Sequence, residues 1–145
     1  MDRTRPIEIL LVEDEEADVD IILHSLKSSK FLNNLNCVMD GEEAMDYLYQ
    51  RGDHSSAIRP DLILLDLNLP RKSGREVLEE VKSDPDLKRI PVVVMTSSSS
   101  EEDIVQSYNA HANCYIRKPV NLQEIEKVVK SIESFWFAIV LTPPH

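Results

Sequence analysis

The sequence predicts a doubly wound α/β fold, in which one parallel sheet of five strands carries helices on both faces. The first observation is that short apolar runs alternate five times with segments whose apolar residues recur at helical spacing. The second is that those runs are almost continuously apolar, as is typical of strands covered on both faces. The third is that polar or turn-forming residues follow each run directly. Together they indicate repeated strand–helix units within a single domain.

The first half of the chain supplies two strands and two helices. Residues 7–12 form an apolar run that predicts the first strand. A helix is predicted over residues 16–29, because their valine, isoleucine and leucine side chains recur on one face. A second strand follows at residues 35–39 and a short helix at residues 41–50. The polar stretch 51–59 is predicted to be a loop.

The second half repeats the strand–helix pattern three times. The apolar run Leu62–Asp66 predicts the third strand, and Gly74–Ser83 predicts a helix with one apolar face. Pro91 opens the fourth strand, since proline is tolerated at the first residue of a strand. The remaining predicted elements are a strand at 92–95, a helix at 101–109, a strand at 114–116 and a last helix from about Leu122.

Length and charge exclude several classes of protein. At 145 residues the chain fits one domain with a sizeable core. A net charge of -10 argues against tight, sequence-independent binding to nucleic acids or anionic membranes. The longest apolar stretch, residues 135–141, is far shorter than the ~20 residues of a membrane span, and we expect no signal peptide. Cys37 and Cys114 lie in apolar stretches, so we expect buried, reduced thiols in a cytoplasmic protein.

Chemically active side chains follow four of the five predicted strands. Glu13 and Asp14 follow the first strand, Asp66 ends the third, Thr96 follows the fourth and Lys118 follows the fifth. Because ligands bind outside the carboxyl ends of such strands, we expect these side chains to meet at one edge. Three acids repel one another unless a cation lies among them, and carboxylate oxygens suit Mg²⁺. A carboxylate can also act as a nucleophile and form an aspartyl phosphate, so the pattern predicts a phosphoryl-accepting site.

Each of these residues also has an ordinary structural role open to it. Glu13 and Asp14 could cap the first helix, since acids favour a helix N-terminus. Thr96 could be only the N-cap of the fourth helix. Lys118 could be a solvated lysine, and Tyr115 could be an ordinary strand aromatic. Their joint occurrence at the ends of successive strands favours the shared site.

Short motifs at these positions resemble a known family over residues 7–133. The motifs are Glu13-Asp14, Asp66-Leu67-Asn68-Leu69-Pro70, Gly74, Thr96-Ser97 and Lys118-Pro119. In this order they resemble the receiver domain of two-component response regulators. The resemblance implies a flavodoxin-like, single-domain fold of five strand–helix units with the strand order 2-1-3-4-5.

The resemblance also implies a phosphoryl acceptor and a metal site. Asp66 would accept a phosphoryl group from a sensor histidine kinase. Mg²⁺ would be held by Asp14, Asp66 and the carbonyl of Asn68, with Glu13 acting through water. Mn²⁺ is expected to substitute for Mg²⁺.

The same resemblance assigns roles to residues around the acceptor. Thr96, Ser97 and Lys118 would contact the phosphoryl group. Thr96 and Tyr115 would form a switch pair that moves on phosphorylation. The family also implies a cis peptide bond before Pro119, against a general frequency of about 5–6% for bonds that precede proline.

A narrower resemblance concerns the small phytochrome-associated response regulators of cyanobacteria. It is carried by the strings at residues 74–78 and 112–116 and by Phe135-Trp136. Such proteins are receivers without an output domain, and their partner is a light-sensing histidine kinase. The resemblance therefore implies a phytochrome as the kinase partner, and no direct binding to nucleic acid or membrane.

The C-terminal segment carries more apolar surface than the predicted sheet needs. We divide the chain into an N-terminal arm at residues 1–6, a receiver domain at 7–133 and an apolar extension at 134–145. A contiguous apolar patch usually marks a contact site, so we expect a symmetric homodimer that uses this extension. The alternative is that the extension folds back on its own domain. The residues expected at the dimer surface are Phe135, Trp136, Phe137, Ile139 and Val140.

Other function classes stay open at this point. A phosphatase that uses an aspartyl phosphate, of the haloacid dehalogenase type, would want a second Asp where this sequence has Asn68. An FMN binder would want a phosphate-binding loop after the first strand, where residues 13–16 are all acidic. A receiver with a degenerate site would act as a constitutive protein-interaction module. We expect that this protein is not an enzyme but a phosphoacceptor, which catalyses only its own phosphorylation and dephosphorylation.

Overall fold

One parallel sheet organises the protein. The computed structural model describes residues 6–28, 32–97, 114–118, 120, 121, 123, 124 and 127. The sheet has five strands in the order β2-β1-β3-β4-β5, so the predicted fold class and strand order are confirmed. The strands are β1 at Ile7–Val12, β2 at Asn33–Val38, β3 at Leu62–Asp66, β4 at Val92–Thr96 and β5 at Cys114–Arg117.

Helices connect the strands in the described part of the chain. They are α1 at Glu16–Lys27, α2 at Gly41–Tyr49 and α3 at Gly74–Ser83, and a 3-10 turn lies at Gly52–His54. The predicted helix at 101–109 lies outside the described residues, as does most of the last predicted helix. None of the helices described has the length and apolar content needed to cross a membrane.

The sheet separates two apolar layers because successive residues of a strand face opposite sides. Every residue of β3 and β4 is buried, as their continuous apolar runs predict. One layer packs strand side chains against α2 and α3, and these include Leu10, Val12, Ile63 and Leu65. The other layer packs the alternate side chains against α1, and these include Ile9, Leu11, Leu62 and Leu64. Each fully buried side chain of this kind contributes about 1.5–3 kcal/mol to stability.

The second strand differs most from its prediction. It begins at Asn33 rather than at residue 35, because Ile7 and Glu8 of β1 pair with Asn33 and Asn34 in parallel register. The asparagine side chains are tolerated because β2 is the edge strand of the sheet. The side-chain amide of Asn34 donates to Oε2 of Glu8 at 2.8 Å, so part of the polar surface is paired across the strands.

The expected burial of Cys37 is wrong. Its side chain is exposed, because β2 lies at the edge of the sheet, where an apolar pattern does not ensure a covering helix. The side chain of Cys114 lies outside the described residues.

Candidate metal and phosphoryl site

The carboxyl ends of β1, β3 and β4 bring polar side chains into the interior of the protein. Glu13, directly after β1, is fully buried, and its N–H donates to the carbonyl of Val38 at 3.0 Å. Asp66 and Thr96 are the last residues of their strands and are also buried. Lys118 follows β5, and its N–H donates to the carbonyl of Thr96 at 2.7 Å. The predicted convergence at one edge of the sheet is therefore present in the structure.

Three carboxylates lie close enough together to hold a metal ion. One oxygen from each of Glu13, Asp14 and Asp66 lies within 4.8 Å of the other two. Two of these acids are buried and Asp14 is half-buried, so water screens their repulsion poorly. An all-oxygen set of carboxylates is the donor chemistry that Mg²⁺ and Mn²⁺ prefer. The residues present therefore fit a divalent cation.

Lys118 supplies the positive charge that this acidic site needs. Its Nζ lies 2.9 Å from Oε1 of Glu13 and 3.2 Å from Oδ2 of Asp66. The side chain of Lys118 is only 13% exposed, so the alternative of a solvated lysine is wrong. A third carboxylate, Oδ2 of Asp18, lies 3.1 Å from the same nitrogen.

Asp18 is the site residue that sequence reasoning missed. It lies in the first turn of α1, four residues after Asp14. Because Asp14 precedes the helix, helical spacing does not relate the two residues, and the sequence carries no local signal for the contact between Asp18 and Lys118.

Burial and the opposite charge have opposing effects on the pKa values of Glu13 and Lys118, and the net shift is upward for both groups. Burial raises the pKa of Glu13 above its ordinary value, although the hydrogen bond from Lys118 opposes this effect. Burial by itself would lower the pKa of Lys118. The hydrogen bond to Glu13 and the charges of Asp66 and Glu13 together outweigh burial and raise the pKa of Lys118. Lys118 therefore stays charged across the physiological range.

The carboxylate of Asp66 is held at both oxygens. Its Oδ1 accepts a hydrogen bond from the N–H of Asn68 at 3.1 Å, and its Oδ2 faces Lys118.

The loop after β3 also packs tightly against the acceptor. A Cβ on Gly74 would lie 2.1 Å from the carbonyl oxygen of Asp66, so only glycine fits at this position. Gly74 in turn donates its N–H to the carbonyl of Leu67 at 3.1 Å.

Thr96 presents a buried hydroxyl to this edge of the sheet. Its Oγ1 has no hydrogen-bond partner within the described part of the chain. A buried hydroxyl without a hydrogen-bond partner lowers stability by about 1–3 kcal/mol. Such a group is expected where a bound ligand supplies the missing hydrogen bond. Ser97 is exposed, and its Oγ accepts a hydrogen bond from the side-chain amide of Asn68 at 3.4 Å.

The other predicted site residues have varied outcomes. Oε2 of Glu13 accepts the N–H of Glu15 at 3.1 Å, but Glu15 precedes the helix, and no side chain caps the first turn of α1, so the alternative that Glu13 caps this helix is wrong. Tyr115 is half-buried and packs against the apolar layer under α2 and α3. Pro119 and the predicted dimer surface at residues 135–140 lie outside the described residues.

The fold and the site together match one protein family. The family described as response regulator receiver domain matches residues 9–130 of the chain. The protein belongs to this family. Both the order of strands in this receiver domain and the acids at its strand ends agree with that membership.

Relatives of this receiver domain act in phytochrome systems. The chain is 51% identical to the response regulator Rcp1 of Synechocystis over 95% of its own length and 94% of the relative's. It is similar to the crystal structure of Mn²⁺-bound Rcp1, with 53% identity, a TM-score of 0.76 and coverage of 90% and 94% of the two chains. It is also similar to the phosphorylated cyanobacterial phytochrome response regulator RcpA, with 53% identity, a TM-score of 0.77 and coverage of 93% and 96%.

Proposed function

We propose that this receiver domain accepts a phosphoryl group on Asp66 from a sensor histidine kinase and thereby changes its docking surface. The observation that carries the proposal is the setting of the Asp66 carboxylate. It is buried, hydrogen-bonded by Asn68, paired with Lys118 and adjacent to two further acids. Phosphoryl transfer asks the protein mainly for positioning and charge stabilisation, and this setting supplies both.

In the proposed reaction, a carboxylate oxygen of Asp66 attacks phosphorus, and the bond from phosphorus to the donor nitrogen breaks. The electron pair of that bond leaves with the histidine of the kinase. Lys118 then stabilises the negative charge of the phosphoryl oxygens, and Thr96 donates its hydroxyl hydrogen to one of them. Ser97, at the mouth of the site, is a further phosphoryl contact in this proposal.

Mg²⁺ is the proposed metal, and it would neutralise part of the charge that the phosphoryl group brings to the acids. The residues proposed to hold it are Asp14, Asp66 and the backbone carbonyl of Asn68, with Glu13 acting through water. The Mn²⁺-bound structure of Rcp1 supports a divalent cation and the proposal that Mn²⁺ substitutes for Mg²⁺.

The proposed response to phosphorylation uses Thr96 and Tyr115 as a switch pair. Movement of Thr96 toward the phosphoryl group would leave space that the half-buried ring of Tyr115 can enter. A cis peptide bond before Pro119 belongs to the same proposal, because Pro119 directly follows Lys118. Phosphorylation shifts the equilibrium between the two arrangements of Thr96 and Tyr115 only by the difference in its interaction free energy with each arrangement.

The proposed kinase is a phytochrome, and the proposed location of this protein is the cytoplasm. The 51% identity with Rcp1 and the similarity to a phytochrome response regulator support this partner. The proposed assembly is a homodimer that uses Phe135, Trp136, Phe137, Ile139 and Val140. We propose no catalytic turnover of a separate substrate and no direct contact with nucleic acid, in line with the net charge of -10.

The decisive test is the intact mass of the protein after incubation with acetyl phosphate and Mg²⁺. We expect the wild type to gain one phosphoryl group, and we expect no gain in Asp66→Ala or without metal. Asp53→Ala, which removes an exposed acid that is not part of the acidic cluster, is the matched control and should behave as the wild type.

A second measurement detects an occupied site even if the phosphorylated protein hydrolyses before its mass can be recorded. Beryllofluoride with Mg²⁺ should change the intrinsic fluorescence of the wild type and leave Asp66→Ala unchanged. If neither acetyl phosphate nor beryllofluoride has an effect, the site is degenerate, and the protein is a constitutive interaction module.

A further inference from the structure

The ammonium of Lys118 contacts one carboxylate that is neither a proposed metal ligand nor the phosphoryl acceptor. Its Nζ lies 2.9 Å from Glu13, 3.2 Å from Asp66 and 3.1 Å from Asp18. A lysine ammonium has three N–H donors, so each donor has one carboxylate within reach. Asp18 is therefore the third carboxylate within ion-pair distance of the Lys118 ammonium.

Asp18 approaches Lys118 from a different element than the other two acids. It belongs to the first turn of α1, whereas Glu13 and Asp66 lie at the ends of β1 and β3. Its side chain is 21% exposed, compared with 0% for Glu13 and 3% for Asp66. Asp18 is thus the outermost of the three contacts, and it is not grouped with the acids that could share a metal ion.

We propose that Asp18 is a positioning residue for Lys118, which keeps the ammonium directed at Asp66 while that residue takes up a phosphoryl group. The inference rests on the proposed function. When a P–O bond to Asp66 forms and the bond to the donor breaks, the negative charge that attracts Lys118 moves from Asp66 to the phosphoryl oxygens. Glu13 and Asp18 keep their positions, and two fixed contacts restrict the ammonium more than one does.

A purely electrostatic role of Asp18 and a positioning role predict opposite changes in the rate of phosphorylation when the charge of Asp18 is removed. An extra negative charge near Asp66 repels an anionic phosphoryl donor, so its removal by Asp18→Asn would then speed the reaction. Positioning predicts that the same variant slows the reaction, because Lys118 loses one of its anchors. The two roles are therefore separable by the direction of the change.

The first experiment measures the rate of phosphorylation by acetyl phosphate at saturating Mg²⁺. We expect Asp18→Asn to be several-fold slower than the wild type and Asp18→Glu, which restores the charge, to recover part of the loss. Asp20→Asn is the matched control, because it removes an exposed charge from the same helix. It should keep the wild-type rate. A faster Asp18→Asn, or an equal loss in Asp20→Asn, would overturn the proposal.

A double-mutant cycle tests whether Asp18 acts through Lys118. Asp18→Asn should slow the wild type but add nothing to the loss already present in Lys118→Met. An equal loss in both backgrounds would contradict the proposal.

A third measurement does not depend on phosphorylation. The ammonium ¹H–¹⁵N signal of Lys118 should be visible in the metal-free wild type, where three carboxylates slow its proton exchange, and should broaden in Asp18→Asn but not in Asp20→Asn. An unchanged signal in Asp18→Asn would exclude the positioning role. If the wild type accepts no phosphoryl group, the proposed function fails, whereas this signal still decides whether Asp18 holds Lys118.

Discussion

Lys118 shows how a single residue can maintain a cluster of buried charges. Three carboxylates surround its ammonium, and two of them have almost no access to water. A buried acid that loses its partner retains the full cost of its desolvation, which is larger than the value of the ion pair itself. The stability of the metal-free protein should therefore depend strongly on this one cation.

We predict that Lys118→Met lowers the free energy of unfolding by about 3–5 kcal/mol in the presence of EDTA. Added Mg²⁺ should restore more stability to this variant than to the wild type, because the metal replaces the lost positive charge. Urea unfolding with and without Mg²⁺ measures both effects.

The control is Arg51→Ala, which removes an exposed ion pair with Asp46 at 3.2 Å. We expect a loss below about 1 kcal/mol and no dependence on Mg²⁺. A similar loss in the two variants would show that the burial of Lys118 has no special role.

Tyr49 and Asp84 form a second polar contact whose contribution depends on pH. The phenol of Tyr49 donates to Oδ2 of Asp84 at 2.8 Å. This hydrogen bond lowers the pKa of Asp84 below its ordinary value and raises the pKa of Tyr49 above its own. Because the pKa of Asp84 is lowered by folding, its carboxylate stabilises the fold above the pKa of about 4 that it has in the unfolded chain. Because the pKa of Tyr49 is raised, its neutral phenol stabilises the fold below the unfolded pKa of about 10.

We predict that Tyr49→Phe is destabilised relative to the wild type between about pH 4 and pH 10. The difference should shrink as pH falls through the folded pKa of Asp84, and again as pH rises through that of Tyr49. Urea unfolding of both proteins at pH 3, 7 and 11 measures the difference. A constant difference across this range would show that the hydrogen bond does not couple to titration.

At the scale of elements, the connection from β3 to α3 places the acceptor. Ser73 caps the N-terminus of α3 through a capping box, in which its Oγ accepts the N–H of Glu76 and its own N–H donates to the carboxylate of Glu76. The next residue, Gly74, packs against the backbone of Asp66. The start of the helix and the end of the strand are therefore held in contact, and this contact leaves no space for a side chain.

We predict that Gly74→Ala lowers stability by about 1–3 kcal/mol or more and weakens Mg²⁺ binding, because the added Cβ displaces the backbone of Asp66. Gly52→Ala is the control: its Cβ meets nothing within 4 Å, although its φ of +56° makes alanine strained by roughly 1–2 kcal/mol. We expect Gly52→Ala to lose stability without a change in metal affinity. Thermal unfolding measures the loss of stability, and calorimetric titration with Mg²⁺ measures the metal affinity. Equal Mg²⁺ affinities of Gly74→Ala and the wild type would show that the contact between Gly74 and Asp66 does not support the metal site.

At the scale of the whole molecule, the strand order gives the two edges of the sheet different surroundings. At one edge, β2 exposes asparagine side chains and Cys37. At the other, β5 pairs with β4 alone among the described strands, and the chain continues from there toward its apolar C-terminal extension. The proposed homodimer would use this second side of the molecule.

We predict that the 145-residue protein sediments as a dimer and that a variant ending at Glu133 sediments as a monomer, because truncation removes the apolar extension. Intact mass after incubation with acetyl phosphate checks that the shortened protein still accepts a phosphoryl group. A dimer of unchanged affinity after truncation would remove the extension from the interface.

Local sequence pattern was enough to predict the alternation of strands and helices and the residues that end each strand. Glu13, Asp66, Thr96 and Lys118 could be predicted as one site, because periodicity and strand ends are local properties and parallel strands share one edge. The strand order came from the family resemblance, not from the periodicity.

The contacts among these side chains could be seen only in the folded protein. Asp18 was not predicted, because its place beside Lys118 depends on how α1 packs on the sheet rather than on a motif. The exposure of Cys37 was also unpredictable, since an apolar run reads the same at the edge of a sheet as at its centre. Contacts of this kind depend on the relative placement of distant segments, which local pattern does not encode.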